Sequence, residues 1–112
     1  MTDELDGVIV ASDHHKVLFE NDEVRVIEVI IPAGDITPIH THLAPTVQYV
    51  VSASHFIRRA ADGSTMLDTR ADSEFVLARV AFAPPAAAHT IENTGDGDLV
   101  VIGVELKHAG VG

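Results

Sequence analysis

Apolar and polar residues alternate over short β-branched stretches of this chain, and glycine, proline, asparagine and aspartate bound those stretches. The pattern predicts strands over Val8 to Ala11, Lys16 to Glu20, Val24 to Ile31, Thr46 to Ser52, Phe56 to Ala60, Thr65 to Asp68, Glu74 to Leu77, Val80 to Ala83, Thr90 to Glu92 and Leu99 to Lys107. Turns are expected at Glu20-Asn21-Asp22-Glu23, Pro32-Ala33-Gly34-Asp35, Ala61-Asp62-Gly63-Ser64 and Asn93-Thr94-Gly95-Asp96-Gly97. No window repeats its apolar residues at helical spacing, so the expected fold is all-β, a sandwich or jelly-roll barrel. Its 112 residues form one domain, with a core from about residue 8 to residue 107 and short flexible ends.

The last strand adds an expectation about assembly. Val100, Ile102, Val104 and Leu106 make one face apolar, while Leu99 and Val101 start the other face in the same way. With no helix to cover the second face, a twin copy of the sheet is the simplest cover, which predicts a homodimer. Sealing by the amino-terminal strand is the alternative.

Charge and composition narrow the partners. Seven Lys and Arg stand against 17 Asp and Glu, a net charge of −10. A chain this acidic repels phosphate, so nucleic acid and anionic membranes are excluded in favour of a small-molecule ligand or another protein. The absence of cysteine removes disulfides, thiolate chemistry, cysteine zinc sites and iron–sulfur clusters. The acidic start, Met1-Thr2-Asp3-Glu4-Leu5-Asp6, lacks the basic region and long apolar segment of a secretory signal, and the expected location is cytoplasmic. No apolar run approaches the roughly 18 residues that a membrane span needs.

Candidate chemistry resides in the histidines, seven in number. His40 and His42 flank Thr41; in an extended segment residues i and i+2 face the same side, roughly 6 to 7 Å apart, and two imidazoles so placed converge on one cation. His89 follows Pro84-Pro85-Ala86-Ala87-Ala88, at a separation that antiparallel pairing closes. Taken alone, the pair also fits a solvated loop, with His89 an ordinary turn residue. Adjacent His14 and His15 face opposite sides of any strand and are assigned to the surface, as is His108. His55 is expected to form a surface hydrogen bond. Arg58 and Arg59 likewise alternate; one enters the cavity to hold a substrate carboxylate, or both form rim salt bridges.

Gly34, His40 and His42, with Thr46 and Ala53 beyond them, have the spacing of the first motif of the cupin superfamily, G-x5-H-x-H-x(3,4)-E-x6-G. Ala78, Pro84, Ala86, His89 and Asn93 have the spacing of its second, G-x5-P-x-G-x2-H-x3-N. The chain therefore resembles that superfamily over roughly Val8 to Lys107. Asp13-His14-His15-Lys16, Phe19-Glu20-Asn21-Asp22 and Val24-Arg25-Val26 look loosely like the opening of small cytoplasmic cupins associated with β-alanine degradation.

The resemblance implies a jelly roll enclosing one divalent metal held by His40, His42 and His89. Thr46 stands where the family ligand is glutamate, which leaves three neutral imidazoles and favours iron, zinc or nickel over manganese. If Thr46 faces the metal, strand alternation brings Gln48 and Val50 inward too, and Gln48 becomes a candidate to contact a metal-bound water or a substrate. Ala53, Ala78 and Ala86 replace family glycines, so those turns either avoid positive φ or carry strain of roughly 1 to 2 kcal/mol each.

Two functions from different classes follow. One is a metalloenzyme acting on a small polar or anionic metabolite, by iron dioxygenase-type chemistry or by zinc or nickel isomerase or lyase chemistry, with no general base evident. The other is a non-catalytic cupin that binds a metal or small molecule. A metal-free histidine core is a third, disfavoured by the cost of protonating adjacent imidazoles.

Overall fold

The computed structural model describes residues 4–108. A four-residue helix, α1 (Gly7–Val10), precedes nine strands: β1 (His15–Glu20), β2 (Val24–Ile31), β3 (His40–His42), β4 (Thr46–Ser52), β5 (Phe56–Ala60), β6 (Thr65–Asp68), β7 (Val80–Ala83), β8 (Ala86–Asn93) and β9 (Leu99–Leu106). They form two antiparallel sheets in the orders β1-β2-β9-β4-β7 and β3-β8-β5-β6. This is the expected all-β jelly roll, although the two sheets face each other without closing into a barrel.

Strand alternation determines what the sheets enclose. In the larger sheet, Leu99, Val101, Gly103 and Glu105 of β9 face inward, in register with Ile31, Val29, Ile27 and Arg25 of β2. Ile31, Phe56, Ile91 and Leu99 form the buried apolar cluster at one end, with Phe75 and Leu77 packed against it. Asn93, 1 % exposed, pins the adjoining loop. Its Nδ2 donates to the carbonyls of Ile31 (2.7 Å) and Gly97 (2.8 Å), and its Oδ1 accepts from Ser54 Oγ (2.7 Å) and the Gly95 amide (2.9 Å). The motif-two asparagine is thus fully engaged in holding the fold.

Two predicted strands are corrected. Val8 to Ala11 is largely the helix α1, because the Asp6 carboxylate accepts from the Val8 amide (3.0 Å) and the Asp6 carbonyl accepts from Ile9 and Val10. That N-cap overrides the strand preference of the β-branched run. Glu74 to Leu77 joins no ladder. Asp72 draws the preceding chain into a turn, accepting from the Glu74 and Phe75 amides, and half-buried Phe75 packs edge-on to Phe56 (6.2 Å) in place of pairing. The predicted strand Thr90 to Glu92 extends back to Ala86, so the break at Pro84-Pro85 is short.

The glycine replacements are resolved without strain. Among the described residues positive φ occurs only at Gly34 (86°) and Gly63 (87°), so Ala53, Ala78 and Ala86 all avoid it.

A candidate metal centre in the cavity between the sheets

Strand pairing brings the motif histidines together. His40 and His42 lie on β3 as the i, i+2 pair, and His40 is the direct cross-strand partner of His89 on β8. The ring centroids of His40 and His89 are 4.5 Å apart, those of His40 and His42 4.9 Å, and those of His42 and His89 5.7 Å. The three rings lie side by side, although His89 is not among the histidines whose ring nitrogens come within 4.8 Å of one another.

A fourth imidazole joins them. His15, assigned to the surface from sequence, is only 4 % exposed, with ring centroids 4.8 Å from His40 and 5.2 Å from His42. One ring nitrogen from each of His15, His40 and His42 lies within 4.8 Å of the others, a spacing that fits a single ion. β1 directs His15 into the interior, against the surface position expected of it, while half-buried His14 pairs with Asp35 (3.3 Å). His55 and His108 are exposed, bonded to Thr69 and to the Asp22 carbonyl, as surface residues should be.

Hydrogen bonds set the tautomers. The Nδ1 atoms of His15, His40 and His89 face the carbonyl oxygens of Ala11 (3.0 Å), Pro38 (2.8 Å) and Ala87 (2.7 Å). A carbonyl only accepts, so Nδ1 carries the proton in each ring and Nε2 keeps its lone pair. His42 Nδ1 lies 3.8 Å from Glu105 Oε2. Carbonyl or carboxylate behind each imidazole is the arrangement that orients metal-binding histidines. His15 Nε2 is moreover buried without a hydrogen-bond partner. A Cβ at Gly7 would come within 2.9 Å of that nitrogen and 3.1 Å of His40 Cδ2, so glycine keeps the space beside it open.

Burial depresses the basicity of the imidazoles. It pushes the His40 pKa down to about 3 and that of His15 to about 4, outweighing the backbone bonds that oppose it. His89 is also lowered, by burial first and then by the nearby charges of Arg58 and His42. These rings stay neutral near pH 7, as metal ligation requires.

Glu105, 1 % exposed, is the interior carboxylate that the sequence left unidentified. It is paired with Thr46 across β9 and β4, so a carboxylate stands one strand away from the position where the motif glutamate is replaced. Arg25 Nε donates to its Oε1, and Arg25 Nη2 reaches both carboxylate oxygens of Asp6 (3.1 and 3.0 Å). Burial would raise the Glu105 pKa, but His42 and Arg25 together outweigh it and hold the carboxyl below its ordinary value. The signal was present in β9, where Glu105 interrupts an otherwise apolar inward face.

The cavity between the sheets has a volume of about 510 Å³ and is lined by all four imidazoles, by Thr46, Gln48 and Arg58, and by the apolar cluster. Thr46 and Gln48 thus face inward as expected, with Thr46 Oγ1 donating to the Ala44 carbonyl (3.1 Å). Arg59 takes the rim salt bridge, to Glu92 at 2.8 Å, and Arg58 takes the cavity.

Comparison with solved structures supports this architecture. A cupin domain from Bordetella pertussis matches with a TM-score of 0.64 at 21 % identity, covering 83 % of this chain and 91 % of that one. A cupin with a double-stranded β-helix fold from Methanocaldococcus jannaschii matches at 0.59 and 14 % identity, covering 84 % and 79 %. A cupin from Desulfovibrio desulfuricans, covering 94 % of each chain, matches at 0.53 and 14 % identity. No protein-family model and no curated protein matches the sequence. The fold is the cupin double-stranded β-helix, and the resemblance carried by the two histidine motifs is upheld at the level of fold.

Proposed function

We propose that this chain is a small metal-binding cupin in which His40, His42 and His89, joined by His15, hold one divalent transition metal, and that it is a metalloenzyme acting on a small anionic metabolite. The observation that carries the proposal is the buried, unpartnered Nε2 of His15 beside three imidazoles whose Nδ1 atoms are all directed at oxygen. Neutral nitrogen donors suit iron, zinc and nickel. Iron would supply redox chemistry with dioxygen, and zinc or nickel would polarise a carbonyl as a Lewis acid. The protein's contribution is to orient the imidazoles through their Nδ1 partners and to surround the site with an apolar wall that limits water.

A specific observation favours non-catalytic metal or small-molecule binding as the second reading. Among the described residues no aspartate or glutamate lines the cavity, and Glu105 is already engaged by Arg25, so a side-chain general base is missing. Elemental analysis of untagged protein separates the readings. Iron favours oxygenase chemistry, zinc or nickel favours isomerase or lyase chemistry, and an empty site favours the binder. We expect about one ion per chain, with affinity reduced more than about tenfold in each of His15→Ala, His40→Ala, His42→Ala and His89→Ala. Full retention in His15→Ala would return the site to the three motif histidines. Retention in all four would reject the centre.

We also propose a homodimer, with small molecules rather than nucleic acid or membrane as partners. Its support is the outer face of the larger sheet, where Phe19, Val26, Val104, Val47 and Phe82 lie in register across five strands. Phe19 and Phe82 are both more than half exposed. Light scattering should give twice the 11.9 kDa chain mass, and Val104→Lys should halve it; a wild-type mass near 11.9 kDa at micromolar concentrations would contradict the dimer. Among the described residues no helix is long and apolar enough to cross a membrane, and a cytoplasmic location is part of this proposal.

A further inference from the structure

The cavity has two chemically different ends, and Arg58 stands between them. On the inward face of the smaller sheet His89 pairs with Ala60, Ile91 with Arg58 and Asn93 with Phe56, in successive rows. Arg58 is thus one row from the imidazoles and one row from the phenyl ring of the apolar cluster, with Leu67 as its partner on β6. Its charge is near enough to His89 to lower that ring's pKa.

This guanidinium lacks a counter-ion. Among the described residues no carboxylate lies within salt-bridge range of Arg58, whereas Arg25 has two and Arg59 has one. Its Nε is buried with no hydrogen-bond partner. Burial also lowers the Arg58 pKa, with no neighbouring anion offsetting the cost. A buried donor left unmade costs roughly 1 to 3 kcal/mol, more when charged, and a chain carrying 17 acidic residues offers many partners that would relieve it. The planar fork of arginine is suited to pairing with a carboxylate through two parallel bonds. Away from the imidazoles, Thr46 and Gln48, the wall is hydrocarbon, with Ile27, Ile31, Phe56, Met66, Phe75 and Leu99 among its residues.

We propose that the cavity takes a small monocarboxylic acid with an apolar body, its carboxylate paired with Arg58 and its hydrocarbon portion against the Ile31, Phe56, Ile91 and Leu99 cluster. This names the ligand class of the proposed site and rests on that reading in taking the cavity as functional; the Arg58 pairing itself requires no metal. About 510 Å³ falls within the range of small-ligand pockets. The carboxylate would lie next to the histidine end, and the carbon chain would extend away from it.

The test is ligand-observed NMR titration at pH 7.5 with hexanoate, its neutral counterpart hexanamide, and acetate. The protein is used both stripped of metal by chelation and loaded with one equivalent of zinc. Stripped wild-type protein should bind hexanoate at least about tenfold more tightly than hexanamide, since the charged pair is lost in the amide, and at least about tenfold more tightly than acetate, since the extra methylenes are buried. Arg58→Gln should lose the carboxylate preference while keeping its affinity for hexanamide. Equal binding of hexanoate and hexanamide by wild type would overturn the proposal, as would failure to bind any probe. Hexanoate binding that needs zinc and survives Arg58→Gln would also overturn it, because the metal would then be the anchor. Should Arg58→Gln fail a circular-dichroism check of folding, the wild-type preference between acid and amide decides. Zinc content is measured separately: Arg58-dependent hexanoate binding in a protein that takes up no zinc would reject the metal centre and leave this inference standing.

Discussion

Metal-free protein should lose about 4 kcal/mol of stability between pH 7 and pH 5, enough to threaten a small domain whose total is roughly 5 to 15 kcal/mol. The loss originates in His15 and His40. In the unfolded chain each takes up its proton near the ordinary pKa of 6.5, whereas burial lowers the folded values to about 4 and about 3. Below pH 6.5 the unfolded chain therefore binds protons that the folded chain refuses, and stability falls with pH until the folded pKa values are reached. At pH 5 each histidine has moved about 1.5 units into this window, which costs about 2 kcal/mol per ring. His89, lowered in the same direction, adds to the loss. Glu105 contributes later: its folded pKa is depressed, so the stability it supplies is present above the unfolded value of 4.5 and is lost only as pH falls below that. Urea unfolding of chelator-treated protein, followed by circular dichroism at pH 7, 6 and 5, measures the effect. An unchanged midpoint across that range would show that the imidazoles are not buried as a neutral group.

The strands were legible because β-branched and apolar residues recur between turn residues in β2, β4, β5 and β9, even though the inward rows of β4 and β5 carry Thr46, Gln48 and Arg58. His40, His42 and His89 were legible for a different reason: extended backbone places i and i+2 together, and antiparallel pairing turns a long separation into the direct contact of β3 with β8. What escaped depends on where one element lies relative to another. His15 is as polar as a surface residue, and only the docking of β1 and α1 over β3 makes it interior; Thr41 donates its amide to the Leu5 carbonyl (2.7 Å) at that junction. Glu105 escaped because its cost in isolation hides its compensation: Arg25 is 80 positions away in sequence and is the residue opposite it in the ladder. The helix α1 escaped because a single side-chain cap outweighed three β-branched residues. Thr46 and Gln48 both line the cavity: the motif spacing singles out Thr46, and the period of two carries Gln48 to the same side.

Arg25→Leu should be among the most damaging single substitutions, costing about 3 to 5 kcal/mol at pH 7. Arg25 lies between two buried carboxylates, Asp6 at 6 % and Glu105 at 1 % exposed, and it is the cation that contacts both. Burial by itself would lower its pKa; the two carboxylates outweigh this and raise it, so the charged state is maintained by its partners. Removing the guanidinium leaves two anions without their shared cation in a site that excludes water, which is far worse than never having had the network. The pH dependence identifies this cause. Once acid begins to neutralise Glu105 the penalty shrinks, so the gap between Arg25→Leu and wild type should narrow as the pH approaches 4, even while both proteins weaken. Arg25→Leu combined with Glu105→Leu should recover part of the loss at pH 7, since the carboxylate left most deeply buried is gone and Asp6 still caps α1 through the Val8 amide. Glu105→Gln then separates folding from function. It keeps the shape behind His42 but removes the charge, and metal affinity should fall by about tenfold, as for other residues that orient a ligand from behind. Thermal and urea unfolding of the three variants and a chelator competition on Glu105→Gln provide the measurements. An Arg25→Leu protein within about 1 kcal/mol of wild type would mean that Asp6 and Glu105 are relieved by water or by a proton taken up from solvent, and that the network behind His42 does not hold the N-terminal segment over the histidine cluster.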